Sequence, residues 1–133
     1  MTRAGHPART VLVVEDDPIM AALHQRVFEN DGWEVRVADT VQAALVAIGS
    51  GTCSVVVSDL HLPDGTGLDV LAAVREHDRL IPVIFVTGSP SDELATRAAR
   101  EGALAYLTKP VARGALLQAA ERGLAMVAAS RKR

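Results

Sequence analysis

The chain is poor in cysteine and lysine, has no long apolar run and carries no excess of charge, and each scarcity excludes something. One cysteine, Cys53, in 133 residues cannot form an internal disulfide, which removes the small secreted scaffolds that rest on several bridges. The run Val11-Leu12-Val13-Val14 is cut short by Glu15-Asp16-Asp17, so there is neither a signal segment nor a membrane span, and a soluble, cytoplasmic protein is expected. Fourteen Lys+Arg against sixteen Asp+Glu leave a net charge of −2, too little for direct binding to nucleic acid. Twelve of the fourteen basic residues are arginine, so the two lysines stand apart. Lys132 belongs to the tail Arg131-Lys132-Arg133 and reads as a solvated chain end, whereas Lys109 lies elsewhere. What is present, 49% hydrophobic and 23% charged residues without repeat or linker, predicts one domain over 1–133. Its core is expected over about 10–128, after a short disordered N-terminal segment and before the basic tail.

Short apolar runs alternate with helical patterns. Val11–Val14, Val55–Val57 and Val83–Val86 are continuous and rich in β-branched residues, as in parallel strands covered on both faces. Trp33-Glu34-Val35-Arg36-Val37 alternates and reads as an edge strand, and Leu104-Ala105-Tyr106-Leu107 as the other edge. Asp17-Pro18 caps and starts a first helix with Ile19, Leu23 and Val27 as its inward stripe, ended by Asn30-Asp31-Gly32. Thr40 through Ile48 forms a second, and Leu68, Leu71 and Ala72 give a third its inward face. Ser89-Pro90-Ser91-Asp92 reads as a cap-plus-proline start of a fourth helix, closed by Gly102. A fifth runs from about Ala112 to Ala128, with Gly114 inside it. Strand and helix alternating five times, with right-handed crossovers, predict an α/β, doubly wound (βα)5 fold with parallel strand order 2-1-3-4-5. That order reverses between the first and third strands, and ligands bind beyond the carboxyl ends there.

The chemistry collects at those ends. The first strand runs into Glu15-Asp16-Asp17, the third into Ser58-Asp59, the fourth into Thr87-Gly88 and the fifth into Lys109-Pro110. Two carboxylates about 4 Å apart repel by roughly 4 kcal/mol at an effective dielectric near 20, so the cluster calls for a cation. With oxygen donors and no competing His/Cys set, Mg²⁺ is the expected ion. Capping explains Asp17; it does not explain Asp59, because the loop Leu60-His61-Leu62-Pro63-Asp64-Gly65-Thr66-Gly67 precedes the next helix.

From Thr10 to about Leu124 the chain resembles the receiver domain of bacterial two-component response regulators. The resemblance rests on Val13-Val14-Glu15-Asp16-Asp17-Pro18, on Val57-Ser58-Asp59 with its loop to Gly65, on Val86-Thr87-Gly88, and on Tyr106-Leu107-Thr108-Lys109-Pro110. It implies that Asp59 accepts a phosphoryl group from a sensor histidine kinase or a histidine phosphotransfer protein. It also implies that Glu15, Asp16, Asp59 and the backbone carbonyl of His61 hold Mg²⁺. Thr87 then matches the switch hydroxyl, Tyr106 the switch aromatic and Lys109 the phosphate-binding lysine, with a cis bond between Lys109 and Pro110. The implied protein is a signalling phosphoacceptor, not an enzyme acting on a separate substrate, either a monomer or a phosphorylation-dependent dimer. Its output is expected through the face of the fourth helix, fifth strand and fifth helix, where Leu94, Arg97 and Arg100 could meet a partner.

Departures are Glu15 for the commoner aspartate, Val111 where phenylalanine usually follows Lys-Pro, and a fifth helix, Leu116 to Arg122, without the charge pattern of receivers that dimerise on DNA. Two alternatives are a degenerate receiver serving only as an interaction module and a Mg²⁺-dependent phosphatase of the haloacid dehalogenase type. The latter resembles a motif with a second aspartate where this chain has His61. A flavodoxin-like cofactor binder conflicts with Glu15-Asp16-Asp17, which would repel a phosphate. His6, His24 and His77 show no ligand spacing and read as solvated; Cys53 and Met20 read as core.

Overall fold

A computed structural model describes residues 9–131; the N-terminal segment with His6, and the tail residues Lys132 and Arg133, lie outside the described residues. Five parallel strands, β1 (Thr10–Val14), β2 (Glu34–Ala38), β3 (Val55–Ser58), β6 (Val83–Thr87) and β7 (Ala105–Thr108), form a sheet in the order β2-β1-β3-β6-β7. This is the expected order, since the two further strands, β4 (His61–Leu62) and β5 (Gly65–Thr66), pair only with each other as an antiparallel ribbon inside the loop after Asp59. The helices are α1 (Pro18–Asn30), α2 (Val41–Gly49), α3 (Gly67–His77), α4 (Asp92–Arg100) and α5 (Arg113–Arg131).

The central strands lack an alternating pattern because both faces are covered. Leu12, Val14, Val56 and Phe85 point into one core with Ala44 and Ile48 of α2, Leu71 and Val74 of α3 and Ala98 of α4. Val11, Val13, Val55, Val57, Ile84 and Val86 point into a second core with Phe28 of α1 and Leu116 and Ala120 of α5. Each fully buried aliphatic side chain contributes roughly 1.5–3 kcal/mol, so both layers favour the sheet. Gly123 lets α5 approach closely, because a Cβ there would lie 2.7 Å from the Pro82 ring.

Four expectations are corrected. On α1, Ile19 (73% exposed) and Leu23 (51%) face outward, and the buried residues are Ala21, His24 and Phe28. The Phe28 ring packs edge-on to Trp33 at 5.3 Å, and Trp33 donates its indole N–H to Asp31, so this aromatic anchor sets the rotation of the helix. His24 is therefore buried, only 6% exposed, and not solvated. On α4 the cap is Ser91, whose hydroxyl accepts from the Leu94 N–H at 3.3 Å; Ser89 and Pro90 lie before the helix. On α3 Ala72 is exposed, while Val70 and Val74 join Leu68 and Leu71 inside, because a helix lying over two strands buries a stripe wider than one i, i+4 row. His77 is exposed, Cys53 is buried and Met20 is half-buried.

Candidate functional site

The site forms where β1 and β3 end side by side. The Asp59 N–H donates to the Val14 carbonyl at 2.9 Å and the Glu15 N–H to Ala38 at 2.9 Å, which extends the sheet register into both acidic segments. Asp17 is committed to α1, accepting from the Ile19 N–H at 2.9 Å and from Met20 at 3.4 Å, as its capping role requires. Glu15, Asp16 and Asp59 offer carboxylate oxygens that all lie within 4.8 Å of one another. Lys109 reaches them from β7. Its ammonium donates to Glu15 Oε1 at 2.6 Å and to Asp59 Oδ2 at 2.9 Å, and its own N–H donates to the Thr87 carbonyl at 2.8 Å. The following Lys109–Pro110 bond is cis, as expected.

The second oxygens of Glu15 and Asp59 are also engaged. Glu15 Oε2 accepts from the Asp17 N–H at 3.1 Å, and Asp59 Oδ1 accepts from the His61 N–H at 3.2 Å. Gly67 closes the loop beneath Asp59: its N–H donates to the Leu60 carbonyl, and a Cβ there would come within 2.5 Å of the Asp59 carbonyl oxygen. Only glycine fits, a requirement visible in the sequence merely as one more loop glycine.

One ammonium faces three carboxylates. Burial pushes the Glu15 carboxyl, 3% exposed, up from its ordinary value, against the Lys109 hydrogen bond and the Asp17 N–H. Burial also disfavours the Lys109 ammonium, but hydrogen bonds to Glu15 and Asp59, with their charges, outweigh it and raise the lysine's pKa. The two shifts pull opposite ways on one contact, and the 2.6 Å geometry with a second donor on Glu15 favours the ion pair. His24, on the buried side of α1, is lowered by burial and then by the Lys109 charge, with Asp59 opposing. The three carboxylates are all hard oxygen donors, and this donor set fits a small divalent cation such as Mg²⁺.

Beside this cluster, Thr87 is fully buried and its hydroxyl accepts from the Ser89 N–H at 3.1 Å. The Tyr106 hydroxyl accepts from the Ser91 N–H at 3.1 Å. The segment between Gly88 and Ser91 is thus held at one end by the hydroxyl beside the site and at the other by the half-buried Tyr106. Sequence reasoning found both hydroxyls but not what joins them, because backbone N–H partners leave no residue signature.

A parallel sheet of this order with three carboxylates and a lysine gathered at its switch point defines a class, the flavodoxin-like α/β domain with an acidic site at its carboxyl ends. Within that class the chain belongs to the response regulator receiver domain family, whose family model matches residues 11–121. It is a receiver domain of the two-component type, and receivers are signalling domains. The probable transcriptional regulatory protein TcrX of Mycobacterium tuberculosis (strain ATCC 25618 / H37Rv) is 34% identical over 110 residues, which are 83% of this chain and 47% of that protein. The chain spans less than half the length of such curated relatives. A CheY-like response regulator receiver domain protein from Methanospirillum hungatei JF-1 superposes with a TM-score of 0.88 at 28% identity, covering 92% of this chain and 98% of that one. A response regulator protein from Burkholderia pseudomallei, crystallised with a phosphorylated aspartic acid, calcium ion and citrate, gives 0.81 at 28% identity, covering 92% and 72%. Among the described residues, no helix is long and apolar enough to cross a membrane.

Proposed function

We propose that this chain is a cytoplasmic phosphoacceptor: Asp59 takes a phosphoryl group from the phosphohistidine of a sensor histidine kinase or histidine phosphotransfer protein. The observation that carries the reading is Lys109 bridging Asp59 and Glu15 while Asp16 completes a cluster of three carboxylates. A carboxylate oxygen of Asp59 attacks phosphorus, the O–P bond forms as the N–P bond breaks, and the bonding pair returns to the leaving imidazole. Glu15, Asp16, Asp59 and the His61 carbonyl would hold Mg²⁺, which supplies charge neutralisation at the phosphoryl oxygens. The Lys109 ammonium, already at Asp59, is placed to bind the same oxygens.

Phosphorylation adds about −1.5 to −2 charges and three acceptor oxygens, and the Thr87 hydroxyl donates to one of them. Drawing that hydroxyl toward the phosphoryl group shifts Ser89, and through residues 88–91 it loosens the Ser91–Tyr106 contact. The signal then leaves through α4, β7 and α5, where the outer face of α4 presents the exposed Arg97 and Arg100. Leu94 is half-buried and takes part in the repacking rather than in first contact. The donor protein docks over the rim, where the outward Ile19 and Leu23 of α1 offer apolar contact beside the acids. No membrane or nucleic-acid partner is part of this reading, and the chain acts as a monomer or a phosphorylation-dependent dimer.

Intact-mass measurement after incubation with acetyl phosphate and Mg²⁺ tests the proposal. The wild type gains one phosphoryl mass and Asp59→Asn gains none; equal labelling of both overturns the assignment.

A further inference from the structure

The loop that follows Asp59 is anchored at its tip by its own carboxylate, which reaches the start of α2. Asp64, in the two-residue turn between β4 and β5, accepts from the Val41 N–H at 2.7 Å and from the Gln42 N–H at 3.0 Å. These are the first two donors of α2, and neither has a partner inside its own helix. The hydroxyl of Thr40, the local cap, satisfies only the Ala43 N–H, at 3.0 Å. The segment Val41–Gly49 carries no charged residue, so the anion that complements the positive end of this helix comes from a residue 22 or 23 positions away. Those N–H donors lower the Asp64 pKa and keep it charged.

The ribbon is seated tightly around that contact. A Cβ on Gly65 would lie 2.6 Å from Asp69 Oδ2 and 3.1 Å from Val41 Cγ2, so the turn rests directly on both α2 and α3. The Thr66 N–H donates to Asp69 Oδ2 at 2.9 Å, and His61 pairs with Thr66 across the ribbon. His61 in turn donates its N–H to Asp59 Oδ1. A continuous chain of contacts therefore runs from the N-terminus of α2 through Asp64 and the ribbon to the main chain of His61 and the side chain of Asp59.

We propose that Asp64 is a positioning residue for the acidic site, holding the 61–66 ribbon against α2 so that the His61 main chain is fixed beside Asp59. This rests on the reading of that site as a divalent-cation site, and it assigns part of the cation affinity to a side chain that is not a ligand. Partners that orient ligands typically change metal affinity about 10–100-fold when removed.

The test compares Asp64→Ala and Asp64→Asn with Thr40→Ala, which weakens the same helix end without touching the ribbon. In cation-free protein, ¹⁵N relaxation should show order parameters of residues 61–66 falling from about 0.85 toward 0.6 in Asp64→Ala and staying at wild-type values in Thr40→Ala. Mg²⁺ titration should show about tenfold weaker binding for Asp64→Ala, an intermediate loss for Asp64→Asn, which keeps one carbonyl acceptor, and no more than about a twofold change for Thr40→Ala. If Asp64→Ala does not fold, Asp64→Asn decides by the same two readings. Matching ribbon order and Mg²⁺ affinity in the Asp64 and Thr40 variants would reduce Asp64 to a helix cap and overturn the proposal. A wild type that binds no Mg²⁺ would instead count against the site reading, while the relaxation measurement still decides whether Asp64 holds the ribbon.

Discussion

The two ends of the sheet are built on opposite principles. At the amino ends the charges are matched: Arg131 pairs with Asp78 and Arg9 with Glu121, each at 2.6 Å. Arg75 of α3 donates to the Ile81 carbonyl at 2.7 Å and to the Gly102 carbonyl at 2.6 Å, joining the loops that feed β6 and β7. At the carboxyl ends three carboxylates lie together and one ammonium pairs with two of them, Glu15 and Asp59. On the function proposed above, a cation or an incoming phosphoryl group would change the balance of charge at the carboxyl end, and whatever binds the folded state stabilises it by mass action. The same fold thus carries one end where these charges are paired and another where carboxylates outnumber the ammonium beside them.

The largest effect expected from this contrast comes from Lys109→Ala. Removing one partner from a buried ion pair leaves Glu15 uncompensated and should cost about 3–5 kcal/mol in cation-free urea denaturation. Millimolar Mg²⁺ should recover part of that loss, and an unaltered midpoint without cation would show that the carboxyl end is as settled as the other. Next, Arg75→Ala removes hydrogen bonds from a charged donor to two loop carbonyls and should cost about 1.5–3 kcal/mol. Its Mg²⁺ affinity should equal that of the wild type, so a parallel loss of binding would join the two ends that the contrast separates.

A smaller effect concerns His24. Its folded pKa is lowered, first by burial and then by Lys109, so below the unfolded value near 6.5 the unfolded chain binds the proton more readily. The stability of the wild type should therefore fall as pH drops through 6.5 toward 5, with a slope of at most about 1.4 kcal/mol per pH unit from this group. His24→Leu should flatten that slope in thermal melts, and identical slopes would show that the imidazole stays neutral or charged in both states. The smallest expected effect is none. Trp33 sits at the amino end of β2, about 16 Å of strand from the acids, and is packed on Phe28 beneath the Arg9 guanidinium. Millimolar Mg²⁺ should leave its fluorescence unchanged, and strong quenching at constant oligomeric state would mean that the two ends communicate.

Much of this was legible before any coordinates. Runs such as Val83–Val86 read as buried parallel strands because they are short, rich in β-branched residues and bounded by Pro82 and Gly88. Glu15, Asp16, Asp59 and Lys109 follow strands and Thr87 ends one, and a parallel sheet puts every such residue on one rim. What misled was local periodicity. Ile19, Leu23 and Val27 form as regular a stripe as Ala21, His24 and Phe28, and helical spacing alone cannot rank them. Ser89 and Ser91 are both good caps, and the Ser91–Tyr106 contact across fifteen positions accompanies the later start. The β4–β5 ribbon is four residues in all, below the length at which alternation can be read.

The order of elements, the rim on which the acids and the lysine gather, and the family itself were determined by the sequence, because covalent order and strand parallelism leave few alternatives. Only the tertiary structure decided which stripe of α1 is buried, that Lys109 bridges Glu15 and Asp59, and that Asp64 caps a helix 23 residues upstream. The reason is physical. Those choices depend on contacts between residues far apart in the chain, where packing shape and the pairing of buried polar groups, not local propensity, select among patterns that are equivalent when read along the sequence.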